Sequence, residues 1–161
     1  MHNLSILNLF GNPSFLPPVL DWCYREWWQE PGSTNGELKE ILDRHTQEEG
    51  RFTTFVALCD DEPVGSVHFI DKDFETGDYE PCLAGLYVLP GFRTLGLGSM
   101  LVDAVVSHAK SVGFPAVYLS TVSAENWYIK LGWRTMETID AATNNVLMKI
   151  ATANIESEAS V

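Results

Sequence analysis

The sequence is poor in basic residues and in cysteine, and it has no long hydrophobic run. Ten lysines and arginines stand against 22 aspartates and glutamates, so the formal net charge is −12 at pH 7. This balance argues against a phosphate backbone or an anionic lipid surface as a partner, and it suits small cationic molecules. No apolar stretch approaches the roughly 18 residues that cross a bilayer. We therefore expect neither a nucleic-acid partner nor a membrane partner.

The cysteines are too few and too far apart for a disulfide framework. Cys23, Cys59 and Cys82 are odd in number, and no CxxC pair occurs among them. The histidines show no spacing that suggests a metal site, so no metal is expected. The N-terminal segment lacks the basic and apolar regions of a secretion signal. These absences predict a cytoplasmic protein with reduced thiols.

The chain has the length and composition of one globular domain. Its 161 residues are 45% hydrophobic, which is enough to form a buried core. We assign residues 1–150 to a single domain. The small and polar residues 151–161 are expected to form a frayed tail.

Hydrophobic periodicity predicts the element order β-α-α-β-β-β-α-β-α-β-β. A strand over Leu4–Phe10 is followed by a helix that Ser14 caps and that buries Leu16, Leu20, Cys23 and Trp27. Strands over Phe52–Leu58 and Val64–Ile70 are separated by a loop longer than the two-residue type. The other expected elements are a helix from Asn35, a strand over Pro81–Leu89, a helix that buries Leu101, Val105 and Ala109 and ends at Gly113, a strand over Ala116–Ser120, a helix over Ser123–Leu131, and a hairpin of Trp133–Ile139 with Asn145–Ile150.

These elements make an α/β (α+β) fold with a mixed sheet. The antiparallel front of the chain is joined to a βαβ unit that runs from Leu83 to Ser120. Helices are expected on both faces of the sheet.

One segment favours anion binding. A strand ending in Leu86-Tyr87-Val88 runs into Arg93-Thr94-Leu95-Gly96-Leu97-Gly98-Ser99, where a helix opens. The first amides of a helix have no internal acceptors, and the helix dipole favours negative charge there. Gly96 and Gly98 remove Cβ atoms where a diphosphate would touch the main chain, and Arg93 adds a cation.

Two nucleotide motifs lack their defining residue in this segment. The dinucleotide fingerprint needs glycine where Leu101 stands, and the P-loop needs lysine where Leu97 stands. A nucleotide-binding α/β protein is therefore disfavoured.

At these residues the chain resembles the GNAT superfamily of acyl-CoA-dependent N-acetyltransferases. The family's [Arg/Gln]-x-x-Gly-x-[Gly/Ala] motif after Val-x-Pro reads here as Val88-Leu89-Pro90 and then Arg93-Thr94-Leu95-Gly96-Leu97-Gly98. A second motif, a short helix with tyrosine and then Lys-x-Gly-aromatic, reads Trp127-Tyr128-Ile129-Lys130-Leu131-Gly132-Trp133. The resemblance extends from about Leu4 to Ile150.

The resemblance implies a GNAT-like fold and an acetyl-CoA site. The fold is a mostly antiparallel sheet of about six to seven strands with about four helices, and a splayed parallel pair of strands forms the coenzyme cleft. Pantetheine would pair with the main chain over Leu86, Tyr87 and Val88, in the manner of an added strand. The diphosphate would bind amides from Thr94 to Ser99, and Thr121 stands where the family often has an asparagine near pantetheine.

The resemblance also implies a proton donor, whereas the base stays open. Tyr128 would donate a proton to the leaving thiolate. The family often carries a glutamate where this sequence has Cys82, so Glu80 is the best single candidate for the base. His68, a water relay or no protein base at all are alternatives.

Two functions remain in competition. The first is transfer of an acetyl group to a primary amine in a ternary complex. The acceptor is a small molecule or a peptide, and Trp28 and Glu26 are candidates to line its pocket. The second is a non-catalytic acyl-CoA-binding or sensing module. A homodimer is compatible with the extra sheet edge.

Overall fold

The structure, a computed structural model, describes residues 1–27, 35–73 and 76–154. The strands are β1 Leu4–Asn8, β2 Thr53–Cys59, β3 Glu62–Ile70, β4 Cys82–Val88, β5 Ala116–Thr121, β6 Arg134–Asp140 and β7 Asn145–Ala151. The helices are α1 Leu16–Trp27, α2 Asn35–Gln47, α3 Leu97–Ser111 and α4 Glu125–Lys130. This is the element order that the sequence predicted.

The strands form one seven-stranded sheet in the order β1-β2-β3-β4-β5-β7-β6. β1 pairs antiparallel with β2, and β7 pairs antiparallel with both β5 and β6. β4 and β5 are parallel and are in register at Cys82 and Tyr118. The predicted mixed sheet with a parallel pair is therefore confirmed.

The chain divides into two compact units. Unit 1 comprises Met1–His68 and Gly85–Val102, and unit 2 comprises Phe69–Ala84 and the chain from Asp103 onward. β3, β4 and α3 contribute residues to both units. The assignment of residues 1–150 to a single domain stays a prediction.

The core of unit 1 forms where α1 and α2 bring apolar residues to β1 and β2. Its buried members are Leu9, Val19, Trp22, Cys23, Leu42, Val56 and Leu58. The inner face of α1 thus centres on Val19, Trp22 and Cys23, at the i, i+3, i+4 spacing of a helix face. Leu16 and Leu20 are only partly buried at its border, which corrects the predicted face. The side chain of Trp27 lies outside the described residues.

The start of α1 also differs from the prediction. Pro13–Phe15 form a 3-10 turn, and the α-helix begins only at Leu16. Ser14 lies inside this turn and is not the cap of the helix. Pro17 and Pro18 fall in the first helical turn, where their missing N–H groups have no intrahelical role.

The β2–β3 connection is shorter than predicted. Asp60 and Asp61 alone join the strands, and both have positive φ, 50° and 69°. Two consecutive residues at positive φ make a type I′ turn, whose twist matches that of a hairpin. Glu62 and Pro63, which the sequence placed in the loop, belong to β3.

In unit 2 the last turn of α3 ends as predicted. Gly113 has φ 96°, and the Phe114 N–H donates to the Ala109 carbonyl at 2.9 Å. This is the glycine C-cap of a helix. Val105 and Ala109 are fully buried on the predicted inner face.

The tail begins later than predicted. Thr152 is buried in a short 3-10 turn that follows β7. Its N–H donates to the Pro115 carbonyl at 2.9 Å, and its hydroxyl donates to the Phe114 carbonyl at 2.8 Å. The rest of the predicted tail, residues 155–161, lies outside the described part of the chain.

Two further findings concern the helices and the cysteines. Among the described residues, no helix is long and apolar enough to span a membrane. Cys23, Cys59 and Cys82 are all buried, and none forms a disulfide.

Candidate active site

The N-terminus of α3, in unit 1, presents main-chain amides at the end of a strand. A 3-10 turn over Pro90–Phe92 follows β4, and the N–H of Met100 donates to the Gly96 carbonyl at 3.2 Å. The amides of Leu97, Gly98 and Ser99 precede this bond and so have no intrahelical acceptor. The first turn of α3 contains no acidic residue. These amides and the helix dipole can bind an anion.

Gly96 gives this turn its conformation. Its φ is 82°, a region that disfavours any residue with a Cβ. A Cβ built at Gly96, or at Gly91 before it, would meet no atom of the chain within 4 Å. The main chain is therefore open on this side, as a bound diphosphate requires.

Arg93 is held beside the turn by the strand that precedes it. Its Nε–H donates to the Val88 carbonyl at 2.7 Å, and its Cζ lies 5.6 Å from the centroid of the Tyr87 ring. The side chain is exposed and its charge stays next to the open amides. Unit 1 thus brings together most of the predicted coenzyme-binding residues, namely Leu86, Tyr87, Val88, Arg93, Thr94, Leu95, Gly96, Leu97, Gly98 and Ser99.

β3 and β4 approach each other closely just before this turn. A Cβ on Gly65 would lie 2.8 Å from the Tyr87 carbonyl oxygen. A Cβ on Gly85 would lie 2.6 Å from Cδ2 of His68, and Gly85 has φ 65°. The residue directly before Leu86–Val88, Gly85, must therefore be glycine.

His68 is locked in a buried chain of polar side chains. Its Nδ1 is hydrogen-bonded to Thr54 Oγ1 at 2.8 Å, and its Nε2 lies 3.5 Å from Cys23 Sγ. Thr54 Oγ1 is also 2.9 Å from Nδ1 of the buried His45. Because this hydroxyl carries one hydrogen, it can donate to only one of the two histidines, so at least one histidine donates its Nδ1–H to the oxygen.

Burial keeps these hydrogen-bonded side chains uncharged. It lowers the pKa of His68 from 6.5 to about 3, with a smaller contribution from His45. It raises the pKa of the Cys23 thiol to about 12. A histidine with so low a pKa is a poor acceptor for an ammonium proton. The low pKa of His68 therefore argues against it as the base.

In unit 2, Tyr128 lies on the buried side of α4. Its ring makes edge contacts with Trp127 and Trp133, with centroids 4.9 Å and 5.7 Å apart. The side chain is 6% exposed, and its hydroxyl has no hydrogen-bond partner within the described residues. Burial raises the pKa of the phenol, so it is protonated at neutral pH.

Thr121 also belongs to unit 2, at the end of β5. Its Oγ1 accepts a hydrogen bond from the Ala124 N–H at 3.1 Å, just before α4 begins. The hydroxyl hydrogen of Thr121 can still be donated to a ligand, whereas one lone pair is already used.

Glu80, the candidate base, differs sharply in its surroundings from Cys82, which stands where the family often has a glutamate. Glu80 is exposed at the end of the loop before β4. Cys82 is fully buried, its thiol donates to the Tyr79 carbonyl at 3.2 Å, and it lies 3.1 Å from Thr76 Oγ1. Burial raises the pKa of Cys82, so this thiol is neutral and not basic.

A groove in unit 2 joins the loop of residues 76–79 to β6. It has a volume of about 450 Å³, and its lining includes Asp78, Tyr79 and Glu137. Nothing in the sequence singled out Glu137 on β6. Of the residues proposed for an acceptor pocket, Glu26 is exposed on α1 and Trp28 lies outside the described residues.

Comparisons with known proteins agree on one family. The family model described as acetyltransferase (GNAT) family matches residues 18–133. A GNAT acetyltransferase structure from Staphylococcus aureus Mu50 is 18% identical, with a TM-score of 0.68, and the match covers 93% of this chain and 99% of that one. An aminoglycoside 6'-acetyltransferase type Ii is 22% identical with a TM-score of 0.68, over 96% and 99% of the two chains.

An aminoglycoside 6'-N-acetyltransferase complexed with coenzyme A is 20% identical with a TM-score of 0.68, over 95% of this chain and 98% of that one. At these identities the structural likeness concerns the fold. No curated protein matches the chain in sequence.

Proposed function

We propose that this chain, which belongs to the GNAT family of acetyltransferases, transfers the acetyl group of acetyl-CoA to a primary amine. The observation that carries the proposal is the turn from Pro90 to Ser99, where open amides, Gly96 and Arg93 stand at the end of β4. The diphosphate binds the amides between Thr94 and Ser99. The structural neighbour complexed with coenzyme A supports this choice of ligand.

The pantetheine arm pairs with the main chain of Leu86–Val88 in this proposal. An extended ligand gains affinity from such pairing because each peptide group offers one donor and one acceptor. Gly85 has a positive φ, which turns the main chain just before these peptide groups. Thr121 contributes its hydroxyl hydrogen to the same arm.

The transfer proceeds by direct attack in a ternary complex. The neutral amine attacks the thioester carbon, a C–N bond forms and the C–S bond breaks. One proton leaves the amine nitrogen and one proton reaches the coenzyme sulfur. The overall reaction therefore neither consumes nor releases protons. Tyr128 is the proposed donor to the sulfur, because burial keeps its hydroxyl protonated and no protein group in the described chain accepts its hydrogen.

The high pKa of Tyr128 limits what it can do alone. A free thiol has a pKa near 8.5, which lies below that of the buried phenol. Full transfer of the proton to a free thiolate is therefore uphill. Tyr128 stabilises the negative charge that develops on sulfur by donating a hydrogen bond while the C–S bond breaks. A proton that it passes to the sulfur is replaced from water, which restores the phenol.

Glu80 is the proposed base for the amine proton. The neutral thiol of Cys82 and the weakly basic ring of His68 are unsuited to that task, whereas Glu80 is an exposed carboxylate two residues before Cys82. A water molecule is the proposed link between Glu80 and the amine.

The proposed acceptor is a cationic amine. Asp78, Glu137 and the ring of Tyr79 line one groove, and carboxylates with an aromatic face favour a positive ligand. The net charge of −12 raises the local concentration of such ligands. Two structural neighbours are named as aminoglycoside acetyltransferases, and aminoglycosides carry several amino groups.

Replacement of Tyr128 by phenylalanine tests the catalytic proposal. We expect kcat with a polyamine acceptor to fall by about 10²-fold to 10⁴-fold, the usual contribution of a general acid. The affinity for acetyl-CoA, measured by calorimetry, should not change. Tyr118→Phe is the matched control, because it removes a phenol from β5 and should leave kcat unchanged. An unchanged kcat in Tyr128→Phe would refute the assignment of Tyr128.

A binding module without catalysis is the second candidate, and Cys82 favours it. A buried neutral thiol stands where a carboxylate base would help the reaction. Acetyl-CoA binding without turnover over a panel of polyamines, aminoglycosides, amino acids and peptides would select this function. Failure of the folded protein to bind coenzyme A would exclude both.

The remaining proposals concern the cellular compartment and the oligomeric state of the protein. Three buried cysteines without a disulfide favour a reducing compartment, and we propose the cytoplasm. A homodimer is proposed through a sheet edge, and the edge strands are β1 and β6.

A further inference from the structure

A compact cluster of side chains lies in unit 1, where β1 begins and β2 ends. It consists of His2, Cys59 and Asp60. One nitrogen, one sulfur and one oxygen of these side chains lie within 4.8 Å of one another. The proposed acyl transfer uses none of the three.

The register of the two strands builds this cluster. Leu4 pairs with Cys59, and the Asp60 N–H donates to the Asn3 carbonyl at 2.8 Å. Residues directly opposite in a sheet share a face, as do residues two apart along a strand. His2 comes two residues before Leu4, so this pairing brings it to the end of β2.

Asp60 is oriented by its own hydrogen bonds. It is the first residue of the type I′ turn, with φ 50°, and its Oδ1 accepts the Asn3 N–H at 2.9 Å. Its other oxygen, Oδ2, lies 3.0 Å from His2 Nδ1 and 3.9 Å from Cys59 Sγ. A carboxylate with one oxygen fixed by a backbone amide and the other facing a histidine and a thiol has the arrangement of a metal ligand.

We propose that His2 Nδ1, Cys59 Sγ and Asp60 Oδ2 bind a divalent transition-metal ion of the zinc type. Nitrogen, sulfur and oxygen together suit Zn²⁺, and three protein ligands leave a fourth position for water. Ligand atoms around a tetrahedral zinc ion lie roughly 3.5 Å apart. The two distances to Oδ2, 3.0 and 3.9 Å, fall on either side of that value, so small side-chain rotations close the site.

Metal binding takes one proton from the Cys59 thiol and releases it to water, because the thiolate is the ligand. The ion ties the start of β1 to the turn that ends β2.

Cobalt(II) titration of the chelator-treated 161-residue chain tests the site. Co²⁺ bound to a thiolate absorbs in the near ultraviolet, and we expect this band to saturate at one ion per chain and to be abolished by Zn²⁺. Cys59→Ser should abolish the band. His2→Ala and Asp60→Asn should each weaken binding by more than about tenfold, since even the outer partners of metal ligands contribute ten- to a hundredfold. Asp61→Asn, the matched control in the same turn, should bind as the wild type does.

Several results would overturn the proposal. One is a folded wild-type chain that shows no charge-transfer band. Another is an undiminished band in Cys59→Ser, which would place the ion on Cys23 or Cys82. Should Cys59→Ser fail to fold, nuclear magnetic resonance of the wild type decides, because Co²⁺ must broaden the ring signals of His2. Unaltered His2 signals at saturating Co²⁺ would equally reject the site.

Discussion

Gly85 illustrates, at the residue scale, a position that two separate constraints reserve for glycine. Its φ is 65°, and a Cβ there would lie 2.6 Å from Cδ2 of His68. We expect Gly85→Ala to lower the free energy of unfolding by about 3 kcal/mol. About 1–2 kcal/mol of this comes from the left-handed backbone and the rest from overlap with a buried ring that cannot move.

A double-mutant cycle separates the two constraints. In a His68→Ala background the overlap is gone, so Gly85→Ala should cost only the backbone share of about 1–2 kcal/mol. Urea unfolding of the four proteins measures both values. If Gly85→Ala lowers the free energy of unfolding equally in both backgrounds, overlap with the His68 ring is not what requires glycine at position 85.

Gly96 is constrained by backbone conformation alone. It has φ 82° and no atom within 4 Å of a built Cβ. Gly96→Ala should therefore lower the free energy of unfolding by about 1–2 kcal/mol and raise the KM for acetyl-CoA. Gly91→Ala is the control, because Gly91 has equally open surroundings and no positive φ. The interpretation fails if both variants lose the same stability.

The residues that the sequence could identify are those that lie in one stretch of chain. Gly96 and Arg93 stand three residues apart and were found by their spacing. The contacts of His68 with Cys23 and Thr54 join residues 45 and 14 positions apart. Such pairs depend on the register and packing of separate elements, which spacing along the chain does not encode.

At the element scale, the polar chain that links Cys23, Thr54, His45 and His68 joins α1, α2, β2 and β3. Burial lowers the pKa of His45 from 6.5 to about 4 and that of His68 to about 3. The folded protein keeps both rings neutral, whereas the unfolded chain binds protons as the pH falls below 6.5. The unfolded state is therefore favoured by acid, and stability is lost from pH 6.5 down to the folded pKa values.

The expected size of this effect is about 1.4 kcal/mol per pH unit for each histidine. At pH 5 this amounts to about 2 kcal/mol for each. Urea unfolding between pH 7 and 4.5 measures the slope, and His45→Gln should reduce it by one histidine's share. A variant slope equal to that of the wild type would mean that His45 is already protonated in the folded protein.

Element order was predictable because each element carries its own pattern. The helix face of α3 and the glycine cap at Gly113 were both predicted from spacing. The bounds were less predictable where two signals compete. Asp60 to Pro63 is a run of polar residues and proline that suggests a long loop, yet the strands need only two of these residues to turn.

At the scale of the whole molecule, the net charge of −12 acts oppositely on the two proposed substrates. It attracts a cationic amine and repels anionic acetyl-CoA. Raising the salt from roughly 0.05 M to 0.5 M screens both effects. We expect the KM for a polyamine to rise several-fold, while the KM for acetyl-CoA stays constant or falls. A polyamine KM that does not respond to salt would contradict steering by the overall charge.

The predictable part of the candidate site is the anion-binding turn, because it is made of backbone and glycine. The groove proposed for the acceptor was not predictable. It brings Glu137 of β6 to the loop that carries Asp78, and this proximity depends on the order of strands in the sheet.

The reactivity of the buried thiols reports how often the folded protein opens locally. Cys23 belongs to unit 1 and Cys82 to unit 2, and neither side chain is accessible in the folded chain. An alkylating reagent can reach each sulfur only after the surrounding unit has opened. Since β3, β4 and α3 run through both units, we expect Cys23 and Cys82 to be labelled at one common rate, as peptide mass spectrometry would record. Two distinct rates would show that the halves of the chain open separately.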